Sequence, residues 1–345
     1  HRKRSSPRAH ARLQALLSSA AGMRTPAAAP PRSMVVRALA VSACASVPLT
    51  QTFPPPPPPR AIAVNPVAEA WRFTRPHTMY GTGLSVLALS AWGAPTRGLA
   101  VTGALTAATP ALLANVYIVG LNQLSDIDID RINKPQLPLA SGRMSVARGR
   151  LIVSLSLLGS IVLTALAASW PLAVAVGGSL VLGTAYSAEP LRLKRWPIAA
   201  ALCIAGVRGF IINWGFSAHA GAALGVSTWG LAAFYTLFGI CIALVKDAPD
   251  TDGDEAAGIP TVARRLGVKP TARLGATLLV VNLLVACAAL SAAPTSFARR
   301  LAGGTALLAA GSIVRGALVM RDVTAFYMYI WKVFYASYLV LPFVR

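Results

Sequence analysis

The segment Val226–Asp254 reads VSTWGLAAFYTLFGICIALVKDAPDTDGD and joins an uncharged run of 20 residues to a cluster of four aspartates. A helix rises 1.5 Å per residue, so a run of about 20 residues can cross the roughly 30 Å hydrocarbon core of a bilayer. The sequence therefore predicts an all-α, polytopic membrane protein with nine transmembrane helices, because comparable apolar segments occur at 77–95, 98–121, 150–169, 171–187, 197–216, 226–245, 272–292, 300–319 and 324–343.

The composition also favours a membrane protein. Of the 345 residues, 55% are hydrophobic and 12% are charged, whereas soluble domains carry about 25% charged residues. The formal net charge of +21 would suit nucleic acid, but the chain has no recognition motif for it, and its basic residues lie in short loops and near the N-terminus. We expect a lipid bilayer as partner and no nucleic acid. The oligomeric state stays open.

Residues 1–65 differ in composition from the rest of the chain. They contain nine Lys and Arg residues, no acidic residue and the six-proline run Pro54–Pro59. A basic, acid-poor segment of this kind is typical of an organelle transit peptide, and the alternative is a disordered basic arm on anionic lipid. We predict a targeting region at 1–65 and a nine-helix membrane domain at 66–345.

The connections between the predicted spans differ in charge. Counted together with the first two residues of the span that follows, the connections after spans 2, 4 and 6 carry thirteen Lys and Arg residues, whereas those after spans 1, 3, 5 and 7 carry three. Basic residues accumulate on the cytoplasmic side of membrane proteins, or its organellar equivalent, so the asymmetry predicts one orientation for the whole chain. Two aspartate clusters then lie on the same positive side, where they could face each other across one cavity.

The first cluster, in the sequence NQLSDIDID, has Asn122, Asp126 and Asp130 at i, i+4 and i+8, which predicts one helical face. The second, KDAPDTDGD, has Asp247, Asp250 and Asp254 at i, i+3 and i+7. We expect Pro249 and Gly253 to kink or end the helix there. Together the two clusters hold seven of the eight aspartates of the chain.

Clustered carboxylates without neighbouring His or Cys ligands favour a hard cation. Mg²⁺ fits best, because it binds one or two carboxylates and completes its shell with water and phosphate. The alternative is that each cluster is a solvated helix end. Two clusters on one side of a membrane favour function over that alternative, since ionisable groups there are costly.

Six separated motifs resemble the UbiA superfamily of intramembrane prenyltransferases, in particular its homogentisate prenyltransferases. Two of the motifs contain the aspartate clusters, at 115–143 and 246–267. The other four are WRFTRPHTMYGT (71–82), LGTAYSAEPLRLKRW (182–196), VRGFIINWG (207–215) and FYMYIWKVFYASYLVLPF (326–343). The resemblance spans residues 66–345, and GLNQLSD, DRINKP and YMYIWK resemble the phytyl-transferring branch most.

The resemblance implies nine helices around a central cavity and Mg²⁺-dependent transfer of a prenyl group from its diphosphate to homogentisate, with loss of CO₂. In the phytyl branch this reaction belongs to tocopherol (vitamin E) biosynthesis. The resemblance also implies a multi-pass chloroplast membrane protein whose motif loops face the stroma. The prenyl chain length is not determined, so a homogentisate solanesyltransferase of plastoquinone biosynthesis remains an alternative.

We hypothesise that two Mg²⁺ ions neutralise the diphosphate, one held by Asn122, Asp126 and Asp130 and the other by Asp247, Asp250 and Asp254. These six residues are the candidate catalytic and metal-binding set. The candidates for direct contact with the diphosphate are Lys134, Arg192, Lys194 and Lys246.

Four further residues are candidates for substrate binding. Arg75 and His77 could bind the carboxylate or phenol of the acceptor, or Arg75 could extend to the membrane interface. Tyr186 could shield an allylic cation with its ring face, although packing in the core explains it equally well. Arg208 lies inside a predicted span and therefore requires a partner or a wet cavity.

Other classes of protein explain the sequence less well. A transporter predicts an internal repeat and helices broken at mid-membrane, whereas we find no convincing repeat and the acids lie near one face. A soluble isoprenyl diphosphate synthase shares aspartate-rich chemistry but not the hydropathy. A non-catalytic assembly protein would leave the aspartate clusters unexplained.

Overall fold

The computed structural model describes residues 65–256, 258, 260–292 and 296–344. Within these ranges the regular structure is entirely helical, as predicted. The predicted targeting region, apart from Asn65, lies outside the described residues. Its assignment and the domain boundary therefore stay predictions.

Fourteen α-helices make up the described part of the chain. Short 3₁₀ turns occur at Leu193–Arg195 and Leu341–Phe343. A π-helical turn at Gly206–Ile211 joins the helices Pro197–Ala205 and Ile212–His219 in one continuous rod. The bounds are α1 Pro66–Phe73, α2 Pro76–Gly93, α3 Arg97–Ser125, α4 Ile127–Asn133, α5 Val146–Leu166, α6 Trp170–Ser187, α7 Pro197–Ala205, α8 Ile212–His219, α9 Val226–Val245, α10 Thr251–Ala256, α11 Val262–Leu266, α12 Val268–Ala292, α13 Phe297–Leu318 and α14 Val323–Val340.

Among the described residues, seven helical segments are long and apolar enough to cross a membrane. They are α3, α5, α6, the α7–α8 rod, α9, α12 and α13, and each matches a predicted span to within a few residues. The first and last predicted spans correspond to α2 and α14, which have 18 residues each but do not reach the mean hydropathy of a membrane span. Their polar and aromatic side chains explain the difference. Nine spans therefore stay a prediction.

Hydroxyl and carboxyl side chains determine where several of these helices begin. Each accepts a hydrogen bond from a backbone N–H in the first turn, which otherwise has no partner inside the helix. The N-caps are Thr96 for α3, Ser145 for α5, Ser169 for α6 and Asp322 for α14.

Glycine lets the helices approach closely, as is common between helices in membranes. A Cβ atom on Gly215 of α8 would lie 2.5 Å from Cβ of Ala175 and 2.8 Å from the carbonyl oxygen of Pro171, both in α6. Aromatic side chains fill the space between α9 and α14, where the rings of Tyr235 and Tyr338 stack with centroids 4.3 Å apart. The backbones of α6 and α8 thus meet directly, whereas large side chains join α9 to α14.

We expect Gly215→Ala to destabilise the protein by about 1–3 kcal/mol, because the added methyl group would overlap backbone atoms of α6. Gly177→Ala on α6 is the matched control, since no atom lies within 4 Å of its would-be Cβ. Its expected effect is neutral to slightly stabilising. Thermal unfolding of the purified protein in detergent measures both variants. Equal unfolding temperatures would contradict the close contact.

Candidate active site

The first aspartate cluster lies at a break between two helices. α3 ends at Ser125, Asp126 adopts a non-helical conformation (φ −122°, ψ 20°), and α4 begins at Ile127. The expectation of one uninterrupted helical face through Asn122, Asp126 and Asp130 is therefore wrong. The break turns the chain so that Asp130 is buried whereas Asp128 points outward, where it pairs with Arg131.

Asp126 is the centre of a polar network that joins α3 to the segment after α6. Its carboxylate accepts from Arg192 Nη2 at 3.0 Å and from Lys194 Nζ at 2.5 Å. Asn122 donates to Asp126 Oδ2 at 3.2 Å and to Ser187 Oγ at 3.3 Å. The structure thus brings together two predicted diphosphate-binding residues and two predicted metal ligands.

The second cluster follows the end of α9. Asp247 and Asp250 lie in the loop after Val245, and Asp254 lies in α10. The predicted helix interruption is confirmed, although Gly253 is inside α10 and does not end a helix. Lys246 forms an ion pair with Asp247.

Two contacts hold the clusters together. Lys134 Nζ, just after α4, lies 2.5 Å from Asp250 Oδ2. The backbone N–H of Gly253 donates to Asn133 Oδ1 at 2.8 Å. A Cβ atom on Gly253 would overlap the Asn133 amide, so glycine is needed for α10 to lie this close to α4. The expectation that the clusters face each other is consistent with these contacts.

Asp130 and Asp254 are the buried acids of the site, each 8% exposed. Burial raises the pKa of Asp130 to about 6, with Lys134 opposing the shift and Asp126 adding to it. Burial, together with the charges of Asp247 and Asp250, raises the pKa of Asp254 to about 7. Neither carboxylate has a hydrogen-bond or ion-pair partner among the described residues. A bound cation would supply the missing charge.

Of the five predicted metal-binding carboxylates, those of Asp130 and Asp254 form no ion pair with a basic side chain of the described residues. In the described ranges no group of three or more His, Cys, Asp or Glu side chains has the arrangement of a metal site. Cationic side chains occupy oxygens of Asp126, Asp247 and Asp250. Asp130 and Asp254 nevertheless fit Mg²⁺, since they are hard oxygen donors in need of a counter-charge.

Tyr186 lies beside the second cluster. The ammonium of Lys246 is 5.9 Å from the centroid of its ring, so Tyr186 already faces a cation.

Arg192, which pairs with Asp126, has a left-handed backbone conformation, with φ 35°. A non-glycine residue in that conformation costs about 1–2 kcal/mol, and such strain is common at functional sites.

Arg75 also has a left-handed backbone, with φ 52°, at the junction of α1 and α2. Its charge is close enough to Asp130 to oppose the rise in the pKa of that carboxyl. His77 lies two residues further on, where its carbonyl oxygen accepts from Tyr335 Oη at 2.6 Å and its ring meets Trp331 edge to face at 6.1 Å. Arg75 is therefore near the first cluster, whereas His77 contacts α14.

Arg208 lies on the π-helical turn inside a membrane span, among the aromatic side chains of α14. Its guanidinium carbon is 4.6 Å from the centroid of Trp331 and 5.8 Å from that of Phe334. It has no carboxylate partner in the part of the chain that the structure describes. The predicted requirement for a partner is met in part by ring faces, which attract a cation but do not neutralise it.

Several residues that build the site were missed from sequence. They are Glu69, Asn133, Ser187, Asn213 and Trp331. Glu69 is buried and pairs with Arg143 at 3.1 Å, which anchors α1 ahead of Arg75. Trp331 could have been identified from sequence, because Tyr327, Trp331 and Tyr335 recur every four residues and so share one face of α14.

Two cavities occur among the described residues, and the buried acids Asp130 and Asp254 line neither of them. One of about 440 Å³ lies between α5 and α6 around Trp170, and one of about 430 Å³ lies beside α10 and α11 around Arg264. The predicted central cavity therefore stays a prediction.

The fold resembles a solved membrane protein. A UbiA homolog from Archaeoglobus fulgidus, bound to GPP and Mg²⁺, superposes with a TM-score of 0.61 over 79% of this chain and 99% of that chain, at 16% sequence identity. At this identity the likeness establishes a UbiA-like fold. The class of protein is thus an all-helical, multi-pass membrane protein of UbiA-like architecture.

The family follows from sequence comparison. Residues 79–338 match the model of the UbiA prenyltransferase family. Homogentisate phytyltransferase from Synechocystis sp. is 40% identical over 293 residues, which cover 79% of this chain and 94% of that protein. Chloroplastic homogentisate solanesyltransferase from Arabidopsis thaliana is 35% identical over 330 residues, which cover 89% and 83%. The chain belongs to the UbiA prenyltransferase family and is an enzyme similar to homogentisate phytyltransferases.

We expect Asn133→Leu to raise the Mg²⁺ concentration for half-maximal prenyl transfer about three- to tenfold. The variant leaves the Gly253 N–H without an acceptor and loosens α10 from α4, and one lost hydrogen bond of this kind is worth about 0.5–1.5 kcal/mol. Gln136→Ala, which changes an exposed amide in the same loop, is the control. A Mg²⁺ titration of the initial rate that gives the same midpoint for both variants would show that the contact does not shape the site.

Proposed function

We propose that this chain transfers a prenyl group, with phytyl favoured, from its diphosphate to homogentisate, with decarboxylation, in tocopherol biosynthesis. The observation that carries this proposal is the 40% identity to a homogentisate phytyltransferase over 94% of that protein. The geometry adds two cationic regions, which are the basic side chains at the aspartate clusters and the single guanidinium of Arg208. The two anionic groups of the proposed substrates, a diphosphate and a carboxylate, match these groups.

The diphosphate would bind between the two aspartate clusters. Lys194 and Arg192 converge on Asp126 from one side, and Lys134 reaches Asp250 from the other. Their N–H groups can turn from carboxylate to phosphate oxygens, because both are anionic acceptors of similar geometry. These three cations, together with Lys246, would hold the diphosphate and stabilise the charge that develops as the C–O bond to the prenyl carbon breaks.

Mg²⁺ would be held by Asp130 and Asp254, and by Asp126 and Asp250 once the basic side chains contact phosphate. The bound ion supplies charge neutralisation of the leaving diphosphate. We propose two ions, one for each cluster, with Asn122 and Asp247 completing the two sets. The support from this structure is the pair of buried carboxylates, Asp130 and Asp254, that have no hydrogen-bond or ion-pair partner among the residues that the structure describes.

The acceptor would bind with its carboxylate at Arg208. A guanidinium inside the membrane without an acidic partner is a strong site for an organic anion. Trp331 lies against both Arg208 and His77, and its ring offers a flat surface for an aromatic substrate. The electron-rich ring of the acceptor would then form a C–C bond to the prenyl carbon as the C–O bond to the diphosphate breaks. The attacked ring carbon would lose its proton, the bond between the side-chain CH₂ and the carboxylate would break to release CO₂, and the CH₂ carbon would take up a proton to become the methyl group. Tyr186 and Arg75 would lie nearer the diphosphate, where the Tyr186 ring face could shield positive charge.

The proposed location is a plastid membrane, with the aspartate clusters on the stromal side. The charge asymmetry of the loops and the chloroplastic relative support it. Transfer of a solanesyl group is the second candidate, because the solanesyltransferase is 35% identical over 89% of this chain.

We expect Asp126→Asn and Asp250→Asn each to lower prenyl transfer about 100-fold or more, since each removes a charge that holds the cation and orients the basic side chains. Asp128→Asn is the matched control, because Asp128 belongs to the same cluster but its side chain is 58% exposed and faces away. Membranes containing each variant are supplied with homogentisate, Mg²⁺ and phytyl, geranylgeranyl or solanesyl diphosphate in turn. Unchanged turnover in both inward variants would remove the metal assignment, and the preferred donor decides the branch.

We expect Arg208→Ala to raise the KM for homogentisate about tenfold or more while the KM for the prenyl diphosphate stays within about twofold, since a charge-assisted hydrogen bond contributes about 1.5–3 kcal/mol. Methylhydroquinone, which lacks the carboxylate, is the discriminating acceptor. Wild type and variant should use it with similar efficiency. An equal loss with both acceptors would argue against a carboxylate site at Arg208.

A further inference from the structure

The rod formed by α7 and α8 contains one irregular turn, and Arg208 lies on it. In this π-helical turn, Gly206–Ile211, the N–H of Ile212 donates to the carbonyl of Val207, five residues back. Single π-turns inside α-helices are rare and occur often at functional sites. Gly209 allows the turn to press against α9, because a Cβ atom there would overlap Thr236.

A π-turn leaves one backbone carbonyl without a backbone donor. In the π-turn each N–H donates to the carbonyl five residues back, and in the α-helix that follows it donates to the carbonyl four residues back. Where the first pattern changes to the second, one carbonyl receives no backbone N–H. After the bond from Ile212 to Val207, the carbonyl passed over is that of Arg208 or Gly209. An unpaired carbonyl inside a protein costs about 1–3 kcal/mol, so the turn requires another donor at this place.

Asn213 supplies that donor. Its side-chain Nδ2 donates to the carbonyl of Arg208 at 2.5 Å and to the carbonyl of Gly209 at 2.6 Å. Its Oδ1 accepts from Tyr338 Oη on α14 at 3.0 Å. Asn213 and Tyr338 are both fully buried. One amide thus satisfies the irregular turn and ties it to the helix whose aromatic rings surround the Arg208 guanidinium.

We propose that Asn213 is a positioning residue for Arg208. Through its bonds to the π-turn and to Tyr338, Asn213 holds the backbone of Arg208 in register with Trp331, so that the guanidinium faces the carboxylate of the acceptor. The inference rests on the proposed role of Arg208 in acceptor binding. It adds a residue that touches neither substrate.

The test compares Asn213→Leu with Tyr338→Phe in the full-length protein. Leucine keeps the volume of the side chain but cannot donate, so the π-turn should relax and move Arg208. We expect the KM for homogentisate to rise about tenfold in Asn213→Leu, with the KM for the prenyl diphosphate unchanged. Tyr338→Phe keeps Asn213 and the ring and removes only the anchor, so a smaller rise of about two- to threefold is expected.

Asn282→Leu is the matched control. Asn282 is also buried, and its Nδ2 donates to the carbonyl of Phe234 at 3.0 Å, so it too joins two helices through one backbone acceptor. It should lower the unfolding temperature, as Asn213→Leu does, without changing either KM. A rise in the acceptor KM in Asn282→Leu as well would mean that general loosening explains the effect, and would overturn the proposal.

A double-mutant cycle separates this inference from the proposed function. If Asn213 acts through Arg208, adding Asn213→Leu to Arg208→Ala should raise the acceptor KM no further. Full additivity, or an unchanged acceptor KM in Asn213→Leu, would overturn the positioning role and leave the role of Arg208 intact. An Arg208→Ala variant with a normal acceptor KM would overturn the proposed role of Arg208 itself, and the positioning role with it. If Asn213→Leu fails to fold, Tyr338→Phe in both Arg208 backgrounds gives the same comparison.

Discussion

Compensation of charge in a medium of low polarity is the constraint on which the site depends. An isolated buried ion is too costly to keep, so each one must meet a counter-ion, a hydrogen-bond network or a ligand. At the aspartate clusters the counter-ions come from loops, because α3, α6 and α9 all end on the same side and bring Asp126, Lys194 and Lys246 together. The remaining charges, on Asp130 and Asp254, have no partner in the described residues and are therefore where a ligand would be held most strongly.

Arg208 meets the same constraint in a different way. It lies within a span rather than at the end of one, and in the described part of the chain no loop brings a carboxylate to it. Ring faces on α14 stabilise its charge in part, and the π-turn places it opposite those rings. The two polar regions of the protein thus differ in kind. One contains charges of both signs, and the other contains a single cation in an aromatic setting.

The spans could be predicted from sequence because the thickness of the bilayer determines the length of an apolar run, as in Val226–Val245. Lys194 and Arg192 could be selected from sequence as candidates for the diphosphate because basic residues are visible in a motif, but their pairing with Asp126 was not predicted. The break at Asp126 could not be predicted, since a periodic spacing of polar residues does not reveal where a backbone leaves the helix. Asn213 could not either, because its role depends on a carbonyl that a π-turn leaves without a donor, and no side-chain pattern encodes that turn.

Separation of the two polar regions also explains how one site could orient two unlike substrates. A diphosphate and a carboxylate repel each other, and both would bind most strongly to the same cluster of basic residues if only one existed. In this chain Lys134, Lys194 and Arg192 are tied to acids that also favour a divalent ion, which selects the more highly charged diphosphate. Among the described residues Arg208 has no such acids beside it, and it would accept a monoanion attached to a flat ring. With the substrates bound as proposed, selectivity between the two anions would follow from what surrounds each cation, and the aromatic ring would be presented to the prenyl carbon from the α14 side.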